Sequence, residues 1–339
     1  MKALKVLMLM HADLVPPDDV SKISKEELEP MKTEHHVYET LTASGHTVMK
    51  LGVRDELGPI RSAIYHFQPD IAFNLLEEFD GQAVYDQHVV SYLELARLRY
   101  TGCNPRGLVL ARDKALAKKI LHYHRVAAPE FIVYPHGQKR IVRPKRLQFP
   151  LFVKSLVEEA SLGISQASLV DSDEKLKERV RFIHEKLETD ALVERYIEGR
   201  ELYVGVLGSK RLQVVPVWEL CFDKLPEGEP LIATRKAKWD TKYQKKLGIT
   251  SRRATQLPPG AREKIERMAK RIYRLLSLSG YARIDFRLTD AGDLYFLEAN
   301  PNPQIAKDED FAESAAADGM PYDKLLDKIL ALGMSPDGA

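Results

Sequence analysis

The sequence predicts a mixed α/β protein in which a parallel sheet near the N-terminus is followed by two further domains that contain sheets. Its length of 339 residues corresponds to two or three domains at ~150 residues each. Strand-like and helix-like segments alternate through residues 1–102, the order expected of a parallel sheet covered by helices. Strand-like segments then dominate the last third of the chain, which indicates a different kind of sheet there.

The N-terminal domain is predicted over residues 1–102. Strands are predicted at residues 4–10, 47–51 and 71–75, and helices at residues 33–43, 55–67 and 84–97. The apolar run in the first strand is too short for a signal peptide or a membrane span. Because ligands bind at the carboxyl ends of parallel strands, residues 11–13 and 74–81 are candidate ligand-binding segments.

A central domain is predicted over residues 103–189 and a C-terminal domain over residues 190–334. Asp113 is expected to cap the first central helix. The predicted central elements are a helix at 114–122, strands at 131–134 and 149–154, and a helix at 172–187. The predicted C-terminal elements are strands at 191–197, 201–207 and 211–220, helices at 261–278 and 322–332, and two strands between those helices. Residues 223–257 form a long polar loop without periodicity, and residues 335–339 a frayed tail.

Charge and cysteine content narrow the class of protein. Lys and Arg number 51 against 49 Asp and Glu, so nothing in the composition favours a nucleic-acid or membrane partner. Cys103 and Cys221 form neither a metal-binding spacing nor a disulfide framework. A reducing, cytoplasmic location is therefore expected.

The most informative segment is a predicted β-hairpin at residues 281–300. If residues 291–292 form a two-residue loop, Asp285 lies opposite Glu298 and Arg283 lies opposite Asn300. These four side chains then share one face, because side chains alternate along a strand. The other face is predicted to carry apolar residues 282, 284, 286, 295, 297 and 299.

Two interpretations of the polar face are open. Opposed carboxylates repel each other, and a divalent cation between Asp285 and Glu298 would remove that cost. Carboxylate and amide oxygens suit Mg²⁺ better than zinc. The alternative is a solvated face on which Arg283 neutralises Asp285, and the residues alone favour neither interpretation.

With this hairpin in place, the chain resembles the ATP-grasp superfamily, and within it the D-alanine–D-alanine ligase-like branch. The similarity is collinear from about residue 100 to residue 332, and looser in the N-terminal domain. Each matching segment is weak alone, but six in the same order are a strong signal. They are Tyr-Thr-Gly at 100–102, Asp-Lys at 113–114, Leu-Phe-Val-Lys at 151–154, Leu-Val-Glu-Arg-Tyr-Ile-Glu-Gly-Arg-Glu at 192–201, Gly-Tyr-Ala-Arg-Ile-Asp at 280–285 and Leu-Glu-Ala-Asn-Pro at 297–301.

The resemblance implies an ATP-dependent carboxylate–amine ligase that forms an amide or peptide bond. ATP would phosphorylate a substrate carboxylate, and an amine would attack the acyl phosphate as phosphate leaves. ATP and one or two Mg²⁺ ions, with Mn²⁺ as the substitute, would lie between the sheets of the central and C-terminal domains. The implied partners are small-molecule carboxylates and amines, such as amino acids or short peptides, and a homodimer is implied by the family alone.

ATP-binding roles fall on three parts of the chain. Lys114 and Lys154 would contact the phosphates, although a surface lysine is the alternative for each. A loop at residues 158–163 would cover the phosphates with the backbone of Ser161 and Gly163. The adenine and ribose would lie against a hinge strand, whose alternative is an ordinary strand; its residues are Glu194, Arg195, Tyr196, Ile197 and, for the ribose, Glu201.

The hairpin takes the metal role in this resemblance. Asp285, Glu298 and Asn300 would hold the Mg²⁺ ions that offset charge during phosphoryl transfer. Arg283 would stabilise the oxyanion of the acyl phosphate and of the tetrahedral intermediate, an effect typically of a few kcal/mol.

Two polar segments carry the remaining catalytic candidates. Lys238, within the basic segment 235–246, matches a lysine of the family's lid loop, and Lys236 is the competing choice. Ser161 is the candidate in the phosphate loop, where the family has a glycine and two serines and this chain has Glu159. A carboxylate beside ATP is unfavourable, so ligation is expected to be slower or differently gated than in the family.

Both substrate pockets depart from D-alanine–D-alanine ligases. Residues 11–17 contain no counterpart of the glutamate that holds the first substrate's ammonium in those enzymes. Glu77 stands in the position of a His-Gly segment, and Asn302 and Gln304 stand where those ligases have Ser-Pro-Gly. A related ligase with a different substrate pair is therefore predicted.

Two other functions are consistent with the same residues. A phosphotransferase would use the same ATP site and release a phosphorylated product. A non-catalytic nucleotide-binding module is suggested by the changes at Glu159 and Gln304, and the hairpin residues argue against it.

Overall fold

The computed structural model describes residues 2–158, 162–226, 230–234, 236–237 and 240–335. Several predictions concern residues outside these ranges and are not tested by the fold. They are those for Glu159, Ser161 and Lys238, and for residues 336–339 of the tail.

The N-terminal sheet has three parallel strands in the order β2–β1–β3. The strands are β1 (Lys5–His11), β2 (Thr47–Val53) and β3 (Ile71–Asn74). The helices are α1 (Lys25–Leu28), α2 (Lys32–Ala43), α3 (Gly58–Phe67) and α4 (Asp86–Leu95). Residues 6–10 in the central strand are fully buried, because both faces of a parallel sheet are covered. The predicted alternation of strands and helices is confirmed.

A four-stranded antiparallel sheet follows, in the order β4–β7–β5–β6. Its strands are β4 (Phe131–Tyr134), β5 (Leu151–Ser155), β6 (Leu169–Val170) and β7 (Ala191–Arg195). The helices of this region are α5 (Pro105–Arg112), α6 (Lys114–Tyr123) and α7 (Asp173–Lys186). Asp113 caps α6 as predicted, since its carboxylate accepts the Leu116 N–H at 2.8 Å.

A six-stranded antiparallel sheet completes the fold, with strand order β11–β10–β8–β12–β13 and β9 paired to β8. The strands are β8 (Arg200–Leu207), β9 (Gln213–Val214), β10 (Trp218–Phe222), β11 (Ile249–Arg253), β12 (Tyr281–Leu288) and β13 (Leu294–Pro301). The helices are α8 (Thr241–Leu247), α9 (Ala261–Leu275), α10 (Asp310–Ala317) and α11 (Tyr322–Met334). Every helix in the described ranges is too short or too polar to cross a bilayer.

The structure corrects several predicted elements. The single strand at 211–220 is two strands, because Pro216 has no N–H with which to continue the ladder. The segment 223–257 contains α8 and β11. Strand β7 belongs to the four-stranded sheet, so the change of sheet falls between Arg195 and Arg200, beyond the predicted boundary at 190. Helices α5 and α10 were not predicted, although Asn104 and Pro105 are a recognisable helix start.

Two glycines bring the N-terminal sheet against the six-stranded one. Gly102 has φ +94° and Gly280 has φ +68°. A Cβ on Gly280 would lie 2.4 Å from the Gly102 carbonyl oxygen, and one on Gly102 would lie 2.4 Å from Asn302 Oδ1. Asn302 Oδ1 in turn accepts the Cys103 N–H at 2.7 Å. We call this close approach of residues 102–103, 280 and 302 the clasp.

The hairpin of β12 and β13 has the predicted pairing at the four polar residues, but its loop is longer than predicted and one strand carries a β-bulge. Asp285 pairs with Glu298 and Arg283 with Asn300. Nearer the turn, Thr289 donates its N–H to the Asp293 carbonyl, so the loop has three residues rather than two. A β-bulge at Leu297 then adds one residue to β13 and restores the register.

The bulge also corrects the assignment of the apolar face. Phe286 pairs with Phe296, and both are buried. Tyr295 pairs with Arg287, so it lies on the polar face, and Leu297 is the extra residue of the bulge. The predicted apolar positions 295 and 297 were therefore wrong, and Phe296 takes their place.

Candidate active site

A cleft lies between the four-stranded and the six-stranded sheet. Strands β5 and β7 supply one wall, and β8, β12 and β13 supply the other. Its volume is about 610 Å³ with the open mouth included. Predicted site residues that line it are Lys154, Glu194, Arg195, Tyr196, Ile197, Glu201, Asp285 and Glu298.

A buried cluster of two lysines and two carboxylates forms the floor of the cleft. Lys154 Nζ lies 3.1 Å from Glu194 Oε1 and 3.6 Å from Glu298 Oε2. Lys118 Nζ lies 3.1 Å from Glu194 Oε2 and donates to the Leu297 carbonyl at 2.8 Å. The two positive and two negative charges balance, so the cluster can be buried without a large net cost.

Glu194 and Lys154 favour each other's charged forms, whereas burial lowers the pKa of the Lys118 ammonium despite its contact with Glu194. Burial opposes ionisation of Glu194, but the two lysines keep the pKa of its carboxyl below the usual value. Burial likewise opposes the charge on Lys154, and Glu194 and Glu298 raise the pKa of its ammonium above the ordinary value. Lys154 therefore presents a permanent positive charge to the cleft.

Asp285 lies at the centre of the polar hairpin face and is 2% exposed. Arg283 donates to both oxygens of Asp285, from Nε at 2.8 Å and from Nη2 at 2.9 Å. Asn300 Nδ2 donates to Asp285 Oδ2 at 3.0 Å, and the Arg283 guanidinium lies 4.6 Å from the centre of the Tyr203 ring. Arg283 thus neutralises Asp285, as in the alternative interpretation, but the face is buried in the cleft and not solvated.

The donor set of this face fits a hard divalent cation. Asp285 and Glu298 are directly opposed, and the Asn300 amide uses its nitrogen for Asp285, so its oxygen is the atom suited to a metal. The described residues contain no group of three His, Cys, Asp or Glu side chains that could hold a metal ion. A third protein ligand would therefore be the amide of Asn300.

The ribose candidate Glu201 lies in a second ion-pair network. Arg287 Nη2 donates to Glu201 Oε2 at 2.9 Å, and the Tyr203 hydroxyl donates to Glu201 Oε1 at 3.0 Å. This pairing follows from the register, in which Arg287 lies opposite Glu201 across β12 and β8. Both oxygens of Glu201 are thus oriented by protein donors.

Two backbone N–H groups of the hinge strand already donate hydrogen bonds within the protein. The Arg195 N–H donates to the Glu130 carbonyl at 2.8 Å, and the Tyr196 N–H donates to the Pro150 carbonyl at 3.0 Å. The Tyr196 hydroxyl donates to the Leu231 carbonyl at 3.1 Å. The edge of an adenine ring would therefore be bound by other backbone groups of this strand, and Ile197 would supply apolar contact.

Two predicted phosphate-site residues lie at the ends of the loop 158–163. Lys114 Nζ donates to the Glu158 carbonyl at 2.7 Å. Gly163 has φ +72°, and its carbonyl accepts a hydrogen bond from Arg179. The structure therefore places Lys114 beside the loop and not on the wall of the cleft that the described residues form.

A second, larger cavity adjoins the cleft. Arg283, Glu298 and Asn300 line it together with the predicted substrate residues Glu77, Asn302 and Gln304. Glu298 lines both spaces, so the cavity opens onto the polar hairpin face. Asn302 is also part of the clasp, which gives it a structural role.

Sequence reasoning missed Lys118 and Arg287. Lys118 had a signal, because it lies three residues from both Ala115 and Leu121 on the buried face of α6. Arg287 had none, because its partner Glu201 becomes a neighbour only through the pairing of β8 with β12.

Two antiparallel sheets enclose a cleft with Lys154 on one wall and opposed carboxylates on the other, which is the arrangement expected of an ATP-grasp protein. The predicted fold class is confirmed.

Comparison with known proteins specifies the family. The family model described as D-ala D-ala ligase C-terminus matches residues 123–331. A D-alanine–D-alanine ligase of Syntrophotalea carbinolica is 30% identical over 312 residues, which are 91% of this chain and 92% of that protein. An uncharacterised protein of Sinorhizobium fredii is 32% identical over 268 residues, 77% of this chain and 73% of that protein. The crystal structure of Bacillus anthracis D-alanine–D-alanine ligase complexed with ATP has a TM-score of 0.75 at 21% identity and covers 98% of both chains.

The chain therefore belongs to the D-alanine–D-alanine ligase family. Its enzyme class is that of the ATP-dependent ligases that form C–N bonds, as predicted.

Proposed function

We propose that this enzyme joins a carboxylate to an amine through an acyl phosphate, and that its substrates are not two molecules of D-alanine. The observation that carries the proposal is the arrangement of Lys154, Asp285 and Glu298 around one cleft that opens into a second cavity. A nucleotide and a pair of small substrates then have adjoining sites.

The reaction has two steps. A substrate carboxylate oxygen attacks the γ-phosphorus of ATP, the bond to the β,γ-bridging oxygen breaks, and ADP leaves. The amine nitrogen then attacks the carbonyl carbon, the C–O bond to phosphate breaks, and the nitrogen loses a proton.

The residues of the cleft have separate roles in these steps. Lys154 stabilises the phosphates as a fixed charge, and Lys114 supports the phosphate loop. Arg283 stabilises negative charge that develops on the acyl oxygen. Mg²⁺, held by Asp285, Glu298 and Asn300, would supply Lewis-acid stabilisation of the phosphates. Ser161 and Lys238 keep their proposed roles in the phosphate loop and the lid.

The substrate pair is proposed to differ because both substrate segments differ. Glu77, Asn302 and Gln304 line the second cavity, and Asn302 Oδ1 is bonded to the Cys103 N–H. At Gln304 a bulkier residue also stands where those ligases have a glycine that offers its backbone as a donor.

A phosphate-release screen tests this function. Amino acids and short peptides are offered singly and in pairs with ATP and Mg²⁺, and products are identified by mass spectrometry. A ligase releases phosphate only with both a carboxylate and an amine. ADP formation without dependence on amine identifies a phosphotransferase, and no stimulation by any carboxylate contradicts catalysis.

Asp285→Asn is expected to reduce phosphate release by at least about 100-fold, because it removes a charge that orients both Arg283 and Asn300. Asp293→Asn, in the exposed hairpin turn, is the matched control and should retain the parent rate. Thermal melting of both variants separates lost activity from lost folding. A folded Asp285→Asn enzyme with the parent rate would contradict the assignment of the hairpin as the active site.

A further inference from the structure

The end of the second cavity that residues 29–34 and 308–310 line is acidic. Five carboxylate residues and one cationic residue line this end among the described residues. They are Glu29, Glu34, Asp308, Glu309 and Asp310, with Lys32; Asp310 also interacts electrostatically with Arg283. The cavity measures about 2040 Å³ with its mouth, more than three times the cleft by the same measure.

The single cation at this end is already shared by three carboxylates. Lys32 Nζ lies 2.7 Å from Glu309 Oε1, 3.0 Å from Glu29 Oε1 and 3.5 Å from Asp308 Oδ2. Its charge therefore does not extend to the rest of the wall, and an anionic group on a substrate would be repelled here.

Glu34 is a carboxylate of this wall that does not pair with Lys32. It lies in the first turn of α2, is 5% exposed and lines the cavity. Its side chain makes no ion pair and no hydrogen bond with another described residue. Burial raises the pKa of its carboxyl to about 7, although a hydrogen bond from its own backbone N–H acts to lower that pKa. A buried acid of this kind lowers stability, and a cationic ligand group would relieve that cost.

We propose that one substrate of the ligase carries an ammonium or guanidinium group at the end away from its reacting group, and that Glu34 binds it. The substrate class is a basic amino acid or a diamine. Lys32 and Arg283 are the described Lys and Arg residues that line the cavity, and both form ion pairs with carboxylates, so a cation is the ligand that the wall around Glu34 favours. This inference rests on the proposed ligase activity.

The experiment compares substrates that differ only in the cation. Lysine is tested against norleucine and arginine against citrulline, as both enantiomers, each alone and with partner amines, by phosphate release and product mass. We expect the cationic member of a pair to have the lower KM, by at least tenfold. Glu34→Gln should raise the KM of the cationic member tenfold and leave that of the neutral member within twofold.

Glu39→Gln is the matched control, since Glu39 lies on the same helix but is exposed and outside the cavity. A readout without turnover is the shift in melting temperature by lysine against norleucine, which Glu34→Gln should abolish. An enzyme that turns over neutral substrates without preference for cationic ones overturns the inference and leaves the ligase intact. Absence of turnover with every pair overturns the ligase proposal, and the melting shift then decides the cation site by itself.

Discussion

At the scale of single residues, Glu194 and Lys118 determine how the cleft is built. Glu194 binds Lys154 on its own sheet and Lys118 on α6. Lys118 also reaches the Leu297 carbonyl, which the bulge leaves available beside the ladder. One buried lysine thus connects α6, the four-stranded sheet and the β12–β13 hairpin.

Lys118→Met is expected to destabilise the protein by about 3–5 kcal/mol, because it removes one positive charge from the cluster. Glu194 and Glu298 then share the single positive charge of Lys154, and one negative charge is left uncompensated. Denaturant unfolding of the variant measures this loss. Lys119→Met changes the adjacent, exposed lysine and should leave the stability within about 0.5 kcal/mol. Equal stabilities for the two variants would show that the buried cluster contributes little.

At the scale of elements, the hairpin shows what local sequence can predict. Its strand and turn residues were sufficient to predict that Asp285 faces Glu298. The three-residue loop and the bulge at Leu297 were not predicted. Hydrogen bonds between Thr289 and Asp293 close the loop within the hairpin, whereas the bulge at Leu297 accompanies a contact from Lys118 on a distant helix, which local sequence does not reveal. The prediction of the polar pairs was correct since these two deviations cancel.

Gly280 and Gly292 offer a matched test of the clasp. Both have positive φ, +68° and +81°, but a Cβ on Gly292 has no neighbour within 4 Å. Gly292→Ala should cost about 1 kcal/mol from backbone strain alone. Gly280→Ala should cost clearly more and weaken substrate binding, because the new Cβ meets the Gly102 carbonyl oxygen. Chemical denaturation and KM measurements on both variants check this, and similar losses for the two would argue against the clasp.

At the scale of the whole molecule, the strand–helix alternation and most elements were predictable from local patterns, and the enzyme family from the resemblance of six collinear segments. The membership of β7 in the small sheet and the meeting of Arg287 with Glu201 were not, because both depend on pairing between distant strands. The same holds for the acidic cavity wall, which residues near 30 and near 309 build together. Charge balance over the chain gave no indication of it.

The pH dependence of stability follows from Glu34. Its folded pKa of about 7 exceeds the ordinary value of 4.5, so the folded state holds a proton that the unfolded state loses between these values. The free energy of unfolding therefore falls as the pH rises from 4.5 to 7, because only the unfolded state releases the Glu34 proton in this range. Glu34→Gln should melt at the same temperature as the parent near pH 4. At pH 8 it should melt at a higher temperature, because its free energy of unfolding exceeds that of the parent by a few kcal/mol. A variant less stable than its parent at pH 8 would contradict this, and Glu39→Gln should follow the parent throughout.

The clasp has a consequence for how the chain acquires its active site during synthesis. Cys103 and Asn302 are 199 positions apart, so this hydrogen bond cannot form until residue 302 has left the ribosome. Contacts of such long sequence separation form slowly, because closing the intervening loop costs entropy. The N-terminal sheet can assemble early, whereas the wall that faces the substrates is completed among the last events of folding.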